Sequence, residues 1–129
     1  MARTISVKYF DDARGRLTVA EPLPFAVNRV FWIDKVPRGI SRGGHAHIQC
    51  EQLLFAVQGG VNVEIHDGRL SQTISLGQSS GLYLPALHWV DLTAFVDDAI
   101  LLVAASHPYS EADNIRDFAE FCRLVETHG

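Results

Sequence analysis

The chain has 129 residues, a hydrophobic content of 47% and a formal net charge of −4. This length suits one domain, residues 1–129, and the acidic balance argues against a general nucleic-acid-binding protein. No stretch approaches the roughly 20 apolar residues of a membrane span, and residues 1–8 lack the apolar run of a signal peptide. Because Cys50 and Cys122 lie far apart and form no CxxC motif, we expect two reduced thiols in a cytoplasmic protein.

Short β-strands are predicted along most of the chain. Apolar and polar residues alternate in the N-terminal segments, and turn residues separate the runs that follow. Asp67-Gly68 is typical of a tight hairpin turn. Many short strands at such close spacing indicate an all-β sandwich or barrel. The predicted strands cover residues 4–10, 17–19, 28–36, 53–57, 61–65, 70–76, 82–84, 89–95 and 99–105, in addition to a strand that carries two histidines.

One amphipathic helix is predicted at the C-terminal end, over residues 111–126. Ser110 and Asp113 have the spacing of a capping box, in which two side chains satisfy the first backbone N–H groups of a helix. Apolar residues then recur at helical spacing, among them Ile115 and Phe118. We expect this helix to dock on the β-structure.

The most informative segment of the sequence for function is Arg42-Gly43-Gly44-His45-Ala46-His47. Residues two apart in a strand point to the same face, and a rise of ~3.3 Å per residue places the two imidazoles roughly 7 Å apart or closer. Gly39 precedes this pair, Gln52 follows it and Gly59 closes the segment. The pattern resembles the first sequence motif of the cupin barrels, with Gln52 in place of the usual acidic metal ligand.

Two kinds of chemistry are open to this histidine pair. Metal-binding cupins add an acid and a third histidine, whereas here Gln52 and Val90 occupy those positions; Glu51 and His88 are nearby substitutes. Two neutral imidazoles and an amide make a weak site for a divalent ion. We therefore expect no metal and no cofactor, and favour proton transfer, for which an imidazole with an unperturbed pKa near 6.5 is suited.

Five blocks in order resemble the sugar-nucleotide 3,4-ketoisomerases, the WxcM-like proteins of the RmlC-like cupin superfamily. The similarity covers nearly the whole chain, and the histidine segment with Gln52 is its most specific part. The blocks are Asp12-Ala13-Arg14-Gly15-Arg16-Leu17, Pro24-Phe25 with Arg29-Val30-Phe31, the histidine segment, Gly81-Leu82-Tyr83-Leu84-Pro85 with Trp89, and Tyr109-Ser110-Glu111-x-Asp113-x-Ile115-Arg116-x-Phe118.

The resemblance implies an antiparallel jelly-roll barrel and a substrate of the type dTDP-4-keto-6-deoxyglucose. The product would be the 3-keto isomer, the precursor of a 3-amino sugar such as those of lipopolysaccharide O-antigens. It implies His45 and His47 as the acid–base residues; we assign His47 to carbon and His45 to oxygen. The candidate substrate-binding residues are Arg42, Arg29, Gln52, Tyr83, Trp89 and Arg16. For Tyr83 and Trp89, a place in the barrel core is the favoured interpretation over a place in the pocket, and Arg116 is expected to be a solvated or interface charge.

Departures from the family pattern keep other functions open. A tyrosine common near Phe31 and Trp32 is absent, and Val90 and Thr93 replace larger polar residues. The alternatives are a cupin that binds a sugar nucleotide without converting it, and a metal-dependent small-molecule cupin. A 3,5-epimerase is disfavoured. A homodimer is expected, since the resemblance implies it and strands 4–10 and 17–19 would otherwise leave an open sheet edge.

Overall fold

Ten antiparallel strands and one C-terminal α-helix make up residues 1–128, the part of the chain that the computed structural model describes. This confirms the predicted all-β class with one C-terminal helix. The elements are β1 (Arg3–Ser6), β2 (Lys8–Asp12), β3 (Gly15–Val19), β4 (Arg29–Ile33), β5 (Arg42–His47), β6 (Gln52–His66), β7 (Ser71–Leu76), β8 (Ser80–Leu84), β9 (Trp89–Ala105), a 3₁₀ turn (Glu111–Asp113), β10 (Asn114–Ile115) and α1 (Phe118–His128).

Two long strands, β6 and β9, pair with each other and pass through both layers of the barrel. In the first layer, β6 pairs with β8 and β9 pairs with β4, and β1 pairs with the other edge of β8. In the second layer, β6 pairs with β7 and β9 pairs with β5, and β10 pairs with the other edge of β5. Apolar residues from both layers face each other and form the core, which contains Leu54, Val63, Ile65, Leu82, Leu101 and Val103 among others.

The sequence predicted two strands where β6 runs without interruption, and likewise for β9. Gly59 does not end the strand. It adopts a φ of +65° at a point where the register of β6 against β9 shifts. A Cβ at Gly59 would lie 2.2 Å from the carbonyl oxygen of Val96. The glycine therefore forms a bulge that lets β6 bend from one layer to the other.

The N-terminal segment also divides differently from the prediction. β1 pairs with β8 inside the main sheet, whereas β2 and β3 form a separate hairpin. The hairpin exposes apolar side chains, with exposed fractions of 60% for Phe10 and 62% for Leu17. β1 therefore has a neighbour on one side only and is an edge strand of the main sheet, so the open edge that we expected of the N-terminal strands is present, and the hairpin adds an exposed apolar surface.

The helix is shorter than predicted because Asp113 makes other contacts. Ser110 makes no side-chain cap, and the Asp113 carboxylate accepts hydrogen bonds from the backbone N–H groups of Gln49 and Cys50. The carboxylate of Asp117 caps the helix instead, by accepting from the N–H groups of Ala119 and Glu120. The helix accordingly begins at Phe118.

No helix among the described residues is long and apolar enough to cross a membrane.

Candidate active site

Strand β5 presents His45 and His47 on one face and Ala46 on the other. Ala46 is fully buried and packs in the cluster that includes Ile115 and Phe121, which fixes the orientation of the strand. The two imidazole rings lie 5.0 Å apart between centroids, at an interplanar angle of 86°. The spacing predicted from the sequence is therefore present, and the rings are close enough to contact one small molecule.

A glycine sets the approach of the histidine strand to β9. Gly43 has a φ of +99°, and a Cβ there would lie 2.7 Å from the carbonyl oxygen of Val90. The register between β5 and β9 shifts between Gly43 and His45. Gly43 thus allows the close contact that brings His45 to the space between the two layers.

The histidines open on a cavity of about 290 Å³ between the layers. Alternation along β4 directs Arg29, Phe31 and Ile33 into this cavity, while Val30 and Trp32 lie on the opposite, exposed face. Phe31 and Ile33 therefore give the pocket an apolar wall beside its polar groups. Its remaining apolar lining consists of Leu54, Val90, Leu92 and Val103.

Burial lowers the pKa of both imidazoles. For His47 the pKa falls to about 4, first because of burial and second because of the neighbouring His45, whereas Asp113 opposes the shift. For His45 the pKa is also lowered, with burial as the main cause. Both rings are consequently uncharged at neutral pH, the state in which an imidazole can accept a proton.

Two polar side chains flank His47. The Nε2 atom of Gln52, which is buried, lies 3.4 Å from the Nε2 atom of His47. On the other side of the ring, a carboxylate oxygen of Asp113 lies 3.5 Å from Nδ1. Both nitrogens of His47 therefore have polar neighbours, and Gln52 lies in the cavity as predicted.

Three arginines line the cavity. Arg29 lies over the ring of Phe31, with its guanidinium carbon 4.4 Å from the ring centroid, and 5.4 Å from that of Tyr109. Arg42 and Arg116 complete the set. The guanidinium of Arg116 donates to both carboxylate oxygens of Glu111, at 2.9 and 3.1 Å, and lowers the pKa of Glu111 to about 2.

Of the eight predicted site residues, five line this cavity: His45, His47, Arg29, Arg42 and Gln52. The other three, Tyr83, Trp89 and Arg16, do not, and for each another contact explains the position.

Tyr83 belongs to a different part of the barrel. Its hydroxyl donates a hydrogen bond to Glu51, and Arg3 lies over its ring. This contact also takes Glu51 out of consideration as a substitute acid beside the histidines.

Trp89 packs in the aromatic cluster beneath the helix, against Phe118 and Phe121, and its Nε1 donates to Asp91. His88 is likewise outside the cavity lining, with Nδ1 3.0 Å from the carbonyl oxygen of Ala86. Arg16 lies on the exposed β2–β3 hairpin, where it pairs with Asp11 at 2.6 Å and covers the ring of Tyr9.

Sequence reasoning missed three site residues from the C-terminal segment. Tyr109, Asn114 and Arg116 line the cavity because β10 pairs with β5, opposite the histidines. Helical periodicity had placed Arg116 on a solvated helix face. The resemblance of residues 109–116 to the last family block was the available signal for a functional role, but it did not indicate that this segment pairs with β5.

No group of three or more His, Cys, Asp and Glu side chains within residues 1–128 is arranged to hold a metal ion. The possible metal ligands that line the cavity are the two imidazoles, the neutral amides of Gln52 and Asn114 and the hydroxyl of Tyr109. Such a set lacks the negative ligand that usually completes a divalent site in proteins.

Comparisons with known proteins agree on one family. The family model described as FdtA, WxcM-like, C-terminal, matches residues 2–126. A TDP-4-oxo-6-deoxy-alpha-D-glucose-3,4-oxoisomerase from Aneurinibacillus thermoaerophilus is 33% identical over 127 residues, which cover 95% of this chain and 91% of the relative.

Two solved structures extend this similarity to the fold. The sugar 3,4-ketoisomerase QdtA from Thermoanaerobacterium thermosaccharolyticum, in complex with TDP, superposes with a TM-score of 0.93 at 32% identity, covering 98% of this chain and 96% of that one. The TDP-fucose-3,4-ketoisomerase WlaRA from Campylobacter jejuni superposes with a TM-score of 0.87 at 30% identity, covering 95% of this chain and 94% of that one.

Proposed function

Because the chain belongs to the FdtA, WxcM-like family, we propose that it is an isomerase that converts a dTDP-linked 4-keto-6-deoxyhexose into its 3-keto isomer. The observation that carries this proposal is the pair of uncharged imidazoles, His45 and His47, on one wall of a shared cavity. We also propose that an aminotransferase uses the 3-keto product, so that the enzyme acts in 3-amino-sugar biosynthesis, and that it does so in the cytoplasm.

The reaction moves two protons between neighbouring carbons and oxygens. The hydrogen on C3 is acidic because it lies next to the C4 ketone. His47 removes it, O4 gains a proton, and the C3–C4 enediol forms. O3 then loses its proton while C4 gains one, which leaves a ketone at C3 and a hydroxyl at C4. In this proposal His47 serves the carbons and His45 carries the proton between the oxygens.

The apolar wall supports this chemistry. Burial of the two imidazoles keeps both uncharged at neutral pH, so that neither must lose a proton before it acts. Phe31, Ile33 and Leu54 give the cavity an apolar wall, which would reduce the water around the reacting carbons once the sugar is bound. Gln52 offers an amide N–H beside His47, and we assign this N–H to an oxygen of the sugar.

The cavity contains positive charges that could bind the negatively charged diphosphate of the nucleotide. Arg29, Arg42 and Arg116 line the same cavity as the histidines. Guanidinium groups bind phosphate oxygens through paired hydrogen bonds. We assign these three arginines to the diphosphate, which would hold the sugar ring against His45 and His47.

The reaction is proposed to need no metal, since the donors beside the cavity are neutral. Activity that disappears with EDTA and returns with a divalent ion would contradict this part of the proposal.

A homodimer is also part of the proposal. The β2–β3 hairpin exposes Phe10 and Leu17, and strand β4 has one unpaired edge beside the exposed Trp32. A second subunit would cover such surfaces. Within this chain Arg16 lies away from the cavity, so its predicted contact with substrate requires a partner subunit. Light scattering that gives 14.3 kDa at micromolar concentration would exclude the dimer.

The direct test is incubation with dTDP-4-keto-6-deoxyglucose in D₂O, followed by ¹H and ¹³C NMR. We expect deuterium at C3 of the recovered substrate and at C4 of the product, and a carbonyl carbon that moves from C4 to C3. The configuration at C4 of the product is read from the same spectra. Binding of the nucleotide sugar without exchange or isomerisation would instead identify a binding module.

A further inference from the structure

The carboxylate of Asp113 lies behind His47, on the side of the ring away from Gln52. Its Oδ2 atom is 3.5 Å from Nδ1 of His47, and both side chains are largely buried, with exposed fractions of 18% and 12%. We propose that Asp113 is a positioning residue, which holds His47 with a proton on Nδ1 and a free electron pair on Nε2. This inference rests on the proposed function for its effect on catalysis, but not for the state of the ring.

The position of Asp113 is fixed by the backbone and not by the histidine. Its two carboxylate oxygens accept hydrogen bonds from the N–H groups of Gln49, at 2.9 Å, and Cys50, at 3.2 Å. Its own carbonyl accepts from the N–H of Ile48, at 2.9 Å. The next residue, Asn114, pairs with His47 across β10 and β5. The carboxylate is therefore held beside the imidazole before any substrate arrives.

A carboxylate in this place selects one tautomer of the ring. An ionised carboxylate only accepts hydrogen bonds, so the imidazole nitrogen that faces it must carry the proton. In neutral His47 this leaves the electron pair on Nε2, which lies 3.4 Å from the amide nitrogen of Gln52. An amide N–H can donate to that pair, so both neighbours favour the same tautomer. Hydrogen bonds of this kind are commonly long before substrate binds.

The same carboxylate favours the charged ring that forms when His47 accepts a proton. The ionisable groups that act on His47 are His45 on its own strand, Arg29 on β4 and Asp113. Burial, His45 and Arg29 lower the pKa of His47, and Asp113 raises it. Asp113 therefore opposes the groups that would otherwise leave His47 a very weak base.

His45 lacks this arrangement. Its Nδ1 atom is buried and has no hydrogen-bond partner of good geometry within the part of the chain that the structure describes. No neighbouring group among these residues fixes the tautomer of His45, so its other nitrogen, Nε2, can either donate or accept a proton. This difference between the two rings favours His47 as the base at carbon and His45 as the carrier between oxygens.

The test is Asp113→Asn, with His47 followed by ¹⁵N NMR. The asparagine can present an N–H to the ring, which favours a proton on Nε2 and leaves no free pair facing the cavity. We expect the wild-type ring to carry its proton on Nδ1, the variant ring to shift toward Nε2, and kcat to fall at least about tenfold while TDP affinity is unchanged. A matched control is Asp67→Asn, since Asp67 also accepts from two backbone N–H groups, those of Arg69 and Leu70, away from the cavity.

A double-mutant cycle separates positioning from folding. If Asp113 acts through His47, Asp113→Asn causes no further loss of kcat in a His47→Asn background. Losses that multiply in the double variant, or a tautomer that does not change in Asp113→Asn, would overturn the proposal. If the Asp113→Asn variant does not fold, the wild-type protein still tests the proposal. A His47 ring that carries its proton on Nε2 in the wild type would by itself overturn the proposal. Wild-type protein with the expected tautomer but no isomerase activity would contradict the proposed function instead.

Discussion

The imidazole rings of His45 and His47 stand almost at right angles, 5.0 Å apart between centroids, on the wall of one cavity. At this distance a charge on one ring disfavours a charge on the other, and His45 is the second cause of the low pKa of His47. The pair is therefore suited to carry one proton at a time.

The acid limb of the pH profile should lie well below the ordinary histidine pKa. The pKa of His47 is lowered from 6.5 to about 4. Above about pH 4 the ring is therefore neutral and can act as a base, and it loses this ability only as the pH falls through its pKa. We expect kcat/KM to be nearly constant from pH 7 to pH 6 and to decrease toward pH 4. Circular dichroism at each pH controls for unfolding. A limb with its midpoint at 6.5 in folded protein would show that His47 is not the titrating base.

Gly43→Ala should cost more stability than Gly39→Ala. Both glycines have positive φ, +99° and +80°, so an alanine is strained at either position by about 1–2 kcal/mol. Only at Gly43 would the new Cβ also meet backbone atoms, the oxygen of Val90 at 2.7 Å, whereas nothing lies within 4 Å at Gly39. Urea unfolding of the two variants measures the difference. Equal losses of stability would mean that β5 and β9 are farther apart at Gly43 than the 2.7 Å separation indicates.

Arg116→Gln should weaken nucleotide binding. A hydrogen bond to a charged group contributes about 1.5–3 kcal/mol, so the affinity for TDP should fall roughly 10- to 100-fold, as measured by calorimetry. The matched control is Arg123→Gln, because Arg123 is an exposed arginine of α1 that does not line the cavity. Equal affinities of the two variants would remove Arg116 from the diphosphate site and leave it as the partner of Glu111.

Local patterns predicted the parts of the fold that depend on local chemistry. The alternation in β5 placed His45 and His47 on one face, and the run of short apolar segments indicated an all-β fold with a final helix. Gly59 was taken as the end of a strand, because a glycine at a turn and a glycine at a bulge look alike in sequence. Only the pairing of β6 with β9 distinguishes them.

The errors at the C-terminal end have one physical cause. Helical spacing from residue 111 was real, but the carboxylate of Asp113 forms hydrogen bonds with the distant segment around Gln49 and Cys50, which a helix beginning there would not allow. The same pairing brings Arg116 into the cavity, which no local pattern could show. For Tyr83 and Trp89 the sequence left both a pocket position and the favoured core position open, and only side-chain packing decides which neighbours they contact.

The most direct measurement of the central claim is solvent exchange at C3 of dTDP-4-keto-6-deoxyglucose in D₂O, followed by ¹H NMR for the His47→Asn and His45→Asn variants. Because general-base catalysis contributes about 10²–10⁴-fold, His47→Asn should lose at least about 10² in both exchange and turnover, with little change in TDP affinity. His45→Asn should lose turnover but retain exchange at C3, since the first abstraction does not use it. Exchange that survives in His47→Asn and vanishes in His45→Asn would reverse the assigned roles, and normal turnover in both variants would contradict the account.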